Sequence, residues 1–320
     1  MDVIKAGVIG VGHLGQHHAR IYSELPQTRL VGVADLDETR RAEIGNRFGA
    51  THFGDYRNLL GRVDAVSVAV PTSQHREVVL DCLDAGVHVL VEKPIAVTPD
   101  EGCQMVNLAK QNGLILHVGH VERFNPVRDL VQDLLSCPRF IECHRLAPFQ
   151  ARGTDVDVVL DLMIHDVDLI LSFGLGLVNN VAAVGIEVLS SKIDFAHARV
   201  EFDKGCVVNL TASRVSTGRL RKMRLFQERL YLSVDFLSRQ GIVYRQVQSD
   251  ESSVQEEAIR AGDEEPLKRE LQAFAQAIRT GAPGGVSGEE GLAALELVHA
   301  IKQSIRGKVY PLTGLSKVAP

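Results

Sequence analysis

The chain has 320 residues, 45% of them hydrophobic and 23% charged, and a formal net charge of −5. That length allows two domains and a substantial core, and the acidic balance argues against nucleic-acid binding, which asks for a basic face. No apolar run approaches the roughly 20 residues of a membrane span, and a core strand starts almost at once after Asp2, which is not the shape of a signal peptide.

Residues 3–9 are short, apolar and β-branched and read as a buried strand. They run into Gly10-Val11-Gly12-His13-Leu14-Gly15, a G-x-G-x-x-G turn, then a helical stretch over 16–25 and a second apolar run, 29–34, that ends on Asp35. In a dinucleotide site Gly10 allows the tight turn, Gly12 admits the pyrophosphate to the backbone, and Gly15 lets the helix pack close. The helix start offers unpaired N–H groups and a positive dipole end to the phosphates. Asp35 stands where an acid accepts hydrogen bonds from a ribose 2′-hydroxyl, which favours NAD over NADP. Arg40 and Arg41, on the predicted helix 37–48 capped by Asp37, read as a solvated face yet leave NADP open.

Further along, a short strand at 51–53 and a helical turn at 55–60 precede the buried strand 64–70. A nucleotide crossing such a sheet lies over the carboxyl ends of its strands. Val70, Pro71, Thr72 and His75, at the start of the helix 72–85, are therefore cofactor candidates, with a surface histidine the equal alternative for His75. Strand 87–91 ends in Glu92-Lys93-Pro94, which puts a lysine where the nicotinamide should lie, beside a proline that stiffens the turn. Thr98-Pro99-Asp100-Glu101 starts a helix that Asn112-Gly113 ends. Strand 114–118 closes a parallel sheet with helices on both faces, and the first domain is expected to span 1–121. His117 and His120 have H-x-x-H spacing, but on a strand end they point to opposite faces. No metal site is expected, and His120 belongs near the nicotinamide or substrate.

Beyond a helix at 125–135, strand-like runs at 139–146, 178–189, 195–202, 206–212, 220–226, 230–236 and 241–247 predict a large, mostly antiparallel sheet in an α+β domain spanning 122–320. The polar, acid-rich stretch 248–265 reads as a loop. Helices follow at 266–280 and 287–306, with room for the terminal one to pack back on the first domain. In the central helix, residues 160–171, Leu160, Met163, Ile164, Val167, Ile170 and Leu171 make a wide apolar face. Asp161, His165, Asp168 and Ser172 fall on a narrow polar stripe that should face a cleft. Asp161 and His165, four apart, suit acid–base work, since a carboxylate favours the protonated imidazole and orients its ring. A structural Asp–His pair is the alternative. The cysteines (Cys82, Cys103, Cys137, Cys143 and Cys206) are odd in number and include no C-x-x-C pair, so reduced thiols in a cytoplasmic protein are expected.

The glycine turn at 10–15, Glu92-Lys93-Pro94 and the D-x-x-x-H from Asp161 to His165 together resemble the Gfo/Idh/MocA oxidoreductases over nearly the whole chain. The resemblance implies an α/β protein: an amino-terminal Rossmann domain, then an α+β domain whose open sheet forms homodimer or homotetramer contacts. It implies that Lys93 orients the substrate hydroxyl, His165 is the general base and Asp161 contacts substrate or supports the base. Residues 119–126, Arg152-Gly153-Thr154-Asp155 and 160–168 are also similar to a branch that oxidises the 3-hydroxyl of UDP-N-acetylglucosamine. In that branch a pathway aminotransferase then converts the ketone for lipid A or surface polysaccharide. A nucleotide-sugar substrate needs cations for its diphosphate. Arg214, Arg219, Arg221, Lys222 and Arg224 form an acid-free basic run, read for the most part as solvent-facing charges. Arg123, Asn125 and Arg152 are the expected substrate contacts. Another sugar or inositol dehydrogenase, or a dinucleotide-binding sensor without catalysis, are the alternatives.

Overall fold

The computed structural model describes residues 3–150, 156–247, 253–282 and 284–307. The chain divides into two compact units. One takes in the chain up to Phe124 together with Glu265–Leu292, and the other Asn125–Glu264 with the chain from Ala293 on.

The first unit alternates strand and helix. Its elements are β1 (Ile4–Ile9), α1 (Gly15–Glu24), β2 (Thr28–Ala34), α2 (Glu38–Phe48), β3 (Thr51–Phe53), α3 (Arg57–Leu60), β4 (Ala65–Val68), α4 (Thr72–Asp84), β5 (His88–Glu92), α5 (Pro99–Asn112) and β6 (Leu116–Gly119). The strands pair in parallel in the order β3-β2-β1-β4-β5-β6. The order reverses beside β1, so β1 and β4 diverge into helices on opposite faces and leave a crevice at their carboxyl ends. Helix boundaries follow local chemistry. Asp37 caps α2 by accepting the Arg40 N–H, and Thr98 and Glu101 close a reciprocal capping box on α5. Val8, Val33, Tyr22 and Ile21 share a core with Leu271 and Phe274, and each such side chain contributes about 1.5–3 kcal/mol by burial.

The second unit holds α6 (Pro126–Leu134), β7 (Pro138–Leu146), α7 (Ile164–Leu171), β8 (Val178–Ile186), β9 (Phe195–Phe202), β10 (Val207–Ser213), β11 (Leu220–Gln227), β12 (Leu230–Asp235), β13 (Gln240–Gln246) and β14 (Val254–Arg260). Two helices come last, α8 (Pro266–Thr280), which belongs to the first unit, and α9 (Gly288–Ile305), which begins there. The eight-stranded sheet runs β14-β13-β12-β11-β7-β10-β9-β8 and is antiparallel except between β7 and β10. One face buries Ile141, Cys143, Leu210, Met223 and Leu225. The other carries a row of rings, Phe140, Phe226, Tyr231 and Tyr244, at cross-strand register with centroids 5.8, 4.9 and 5.9 Å apart.

Two expectations change here. The stretch read as a loop contains β14, which is almost wholly exposed and is held by its backbone ladder to β13. A strand with no buried face shows no hydrophobic alternation to read. The central helix does not start as a regular α-helix either. Val159–Met163 forms a π-helical turn before α7, anchored by Asp157, which accepts the Leu160 N–H at its carboxylate and the Asp161 N–H at its carbonyl. Such turns recur at functional sites.

Candidate active site

In the first unit, Gly10, Gly12, His13, Leu14, Asp35 and Val70 line a cavity of about 680 Å³ over the carboxyl ends of the strands, and Pro71 joins the same wall. Its floor is the glycine turn. Gly10 has φ of 85°, and a Cβ on Gly15 would lie 1.8 Å from the Gly10 carbonyl oxygen, so helix and turn meet too closely for a side chain. Gly12 differs: among the described residues a Cβ there would meet, within 4 Å, only the tip of Arg40, at 3.9 Å. Helix α1 has no side-chain cap and no acid in its first turn, in contrast to α2 and α5, so its N-terminus is suited to an anion. The residues present fit a dinucleotide.

Asp35 lines the cavity and also braces the turn. One carboxylate oxygen accepts the Val11 N–H at 2.8 Å and the other accepts the Asp37 N–H at 2.9 Å. It therefore ties the end of β2 to the glycine turn while retaining lone pairs for a ligand. Arg40 lines the same cavity, with a guanidinium nitrogen 3.6 Å from Asp35 and another 3.4 Å from Asp37. It is thus part of the wall rather than a purely solvated charge.

Thr72 opens α4. His75 is buried, one ring nitrogen 2.9 Å from the Pro94 carbonyl and the other 3.0 Å from that of Val70. It joins the loops after β4 and β5 from beneath. Burial lowers its pKa, outweighing the hydrogen bonds to the two carbonyls. Lys93 is half-buried and precedes a cis proline, and its N–H donates to the Glu92 carboxylate at 3.3 Å.

Glu92 is tied to a histidine not singled out in the sequence. His18, fully buried on α1, lies 3.0 Å from Glu92 through Nε2 and 2.9 Å from the Ser67 hydroxyl through Nδ1, and Tyr22 reaches the same hydroxyl at 2.8 Å. Burial works against the Glu92 charge, but the His18 hydrogen bond, with the charges of His18 and Lys93, outweighs it and lowers its pKa. A histidine on the apolar side of an amphipathic helix was the available sign.

His120 is fully buried after β6. His117 packs against Phe274, and burial brings its pKa down to about 4. Arg123 is paired with Glu290 at 2.9 Å.

In the second unit, Asn125 is buried, accepts the Val127 N–H as the cap of α6, and donates to the Phe236 carbonyl. Arg152 lies outside the described residues. On the central helix the apolar face packs inward, while Asp161 and His165 are half-buried and one turn apart. Asp161 lines a cavity of about 240 Å³ with Leu162, Arg145, Arg214, Arg219 and Arg221. Asp168 is buried. Asp166, which the sequence pattern does not mark, is buried too and takes both arms of the Arg145 guanidinium, at 3.1 and 2.8 Å. Among the described residues no helix is long and apolar enough to cross a membrane.

Known proteins resemble this chain in sequence and fold. Residues 4–120 match the Gfo/Idh/MocA oxidoreductase model for an NAD-binding Rossmann fold, and residues 150–313 match that family's C-terminal alpha/beta domain. The chain is 38% identical over 298 residues to the UDP-N-acetylglucosamine 3-dehydrogenase of Acidithiobacillus ferrooxidans, covering 91% of this chain and 95% of that one. A crystal structure of that enzyme superposes with a TM-score of 0.90 at 36% identity, over 96% of this chain and 99% of the other. A myo-inositol 2-dehydrogenase of Thermotoga maritima is 26% identical over 324 residues, 95% of this chain and 97% of its own. The chain belongs to the Gfo/Idh/MocA oxidoreductase family, with an NAD-binding Rossmann domain at its amino end.

Proposed function

We propose that this protein oxidises the 3-hydroxyl of UDP-N-acetylglucosamine to the 3-keto sugar. The reading is carried by the full-length likeness to the Acidithiobacillus ferrooxidans enzyme. The arginine-lined cavity beside Asp161 supports it, since a nucleotide sugar brings a diphosphate that needs cations. NAD, when bound, supplies the acceptor for the hydride that leaves the sugar carbon. Lys93 orients the hydroxyl. His165 takes its proton, and Asp161 contacts the substrate or supports the base. Arg123, Asn125 and Arg152 stand as further substrate contacts. A ketone beside an acetamido carbon suits removal by an aminotransferase, and the proposed setting is lipid A or surface polysaccharide synthesis in the cytoplasm. The ring row on the outer face of the large sheet supports assembly into a homodimer or homotetramer.

The test is to incubate purified protein with NAD and UDP-N-acetylglucosamine, adding an aminotransferase and amino donor, while following NADH absorbance and product mass. NADH together with a 3-keto or 3-amino UDP-sugar is expected. Turnover of free sugars or inositols instead would move the substrate within the family. NAD binding with no turnover on any of them would favour a sensor.

A further inference from the structure

The strands of the second unit converge on an unusual charge arrangement. Arg145 near the end of β7 and Arg221 near the start of β11 are direct cross-strand partners. Like charges at that register repel and destabilise a sheet. Arg214 follows the end of β10 on the same face, two residues beyond Ala212, which also pairs with Arg145. Arg219 precedes β11 and completes the group, and all four arginines line one cavity of about 240 Å³.

Two of them are built in. Arg145 and Arg214 are 3% and 6% exposed. The first is gripped by Asp166. The second donates to the Val156 carbonyl at 2.7 Å and stands 3.9 Å from Asp194. Asp194 is itself fixed by the backbone N–H groups of Val188, Leu189 and Ser190. Arg219 and Arg221 are exposed at the rim. Among the described residues the wall thus carries four guanidinium groups and the Asp161 carboxylate, with Asp166 and Asp194 holding the two buried arginines in place from behind.

We infer that this cavity is the diphosphate subsite of the nucleotide-sugar substrate, an inference that rests on the reading above. Arginine forks match phosphate oxygens in pairs, and strand register sets two such forks side by side on one cavity wall. The space suits a diphosphate better than a nucleoside, whose sites run to several hundred Å³. Asp161 on the same wall places the diphosphate next to the residue assigned to the sugar. The pyrophosphate of NAD is a separate ligand, provided for by the glycine turn of the first unit.

The experiment uses the full chain with NAD bound and titrates UDP and inorganic pyrophosphate by calorimetry against wild type, Arg219→Ala, Arg221→Ala and the double variant. Rim positions are chosen because truncating Arg145 or Arg214 would strand a buried carboxylate. Each substitution is expected to weaken UDP binding about tenfold and to raise KM for UDP-N-acetylglucosamine far more than it lowers kcat. NAD affinity and thermal midpoint should hold. Salt should weaken UDP binding less in the double variant than in wild type. A folded double variant that binds UDP as wild type does overturns the subsite, and if wild type oxidises the UDP-sugar the function survives. Arginine-dependent UDP binding without turnover of UDP-N-acetylglucosamine supports the subsite and removes the sugar assignment. A wild type that binds neither UDP nor pyrophosphate overturns the subsite outright.

Discussion

The Asp35 carboxylate holds the Val11 N–H at 2.8 Å, so the acid at the end of β2 is a structural brace of the glycine turn. Removing it strands a backbone donor inside the turn, at a cost of about 1–3 kcal/mol. Asp35→Ala is therefore expected to lower the thermal midpoint and to weaken NAD binding tenfold or more. Titration of NAD and NADP alongside a melting curve checks this. A switch of preference towards NADP at an unchanged midpoint would mean that the carboxylate only reads the ribose.

Lys93 and His165 carry the proposed chemistry from positions that contribute little to the core. Lys93→Ala and His165→Ala are each expected to reduce kcat about 10²- to 10⁴-fold while leaving NAD affinity near wild type. Steady-state rates and a fluorescence titration of NADH separate the two effects. Unimpaired turnover in either variant would exclude that residue from the reaction.

Glu92 lies buried against His18, and the pH dependence of that pair has a definite sign. In the native protein the Glu92 pKa is below its ordinary 4.5. Its contribution to stability is therefore complete above that value and is lost as pH falls through the lowered one. In His18→Ala, burial is opposed by less and the pKa rises, so the carboxyl then stabilises at low pH and loses that contribution as pH climbs. The variant's deficit in melting temperature should be largest near about pH 7 and shrink towards about pH 4. A deficit that is flat across the range would show that His18 acts by packing alone.

The Arg145–Asp166 pair is bidentate, with both residues less than a tenth exposed. Asp166→Ala leaves a buried guanidinium without its carboxylate and is expected to lower unfolding free energy by about 3–5 kcal/mol. Urea denaturation measures it. A loss under about 1 kcal/mol would put the pair in the class of screened surface bridges.

Much of this architecture is legible from local chemistry. Thr98-Pro99-Asp100-Glu101 reads as a helix start, Asp37 as a cap and Asn112-Gly113 as a helix end; the structure has all three and adds a reciprocal capping box between Thr98 and Glu101. These signals survive in the sequence because a cap involves neighbours three or four residues apart. The alternating pattern of the first unit likewise implies its parallel sheet. Of the helical stripe, Asp161 lies at a cavity wall and Asp168 is buried, and the stripe passes over Asp166. A carboxylate on a buried helix is intelligible only once Arg145 is seen opposite it, 21 residues away.

What the sequence determined alone is most of the elements, β14 and the π-helical turn apart, the glycine turn with its acid, and the residue types available for oxidation of a hydroxyl. What only the tertiary structure decided is which of the charges meet. His18 reaches Glu92 across 74 positions, and Arg145 and Arg221 come opposite each other through strand register. No hairpin turn joins β7 to β11, so their register follows from which faces of whole strands are buried together and not from a local spacing. β14 shows the same limit: its order comes from a neighbouring backbone, and backbone hydrogen bonds leave no trace in side-chain pattern.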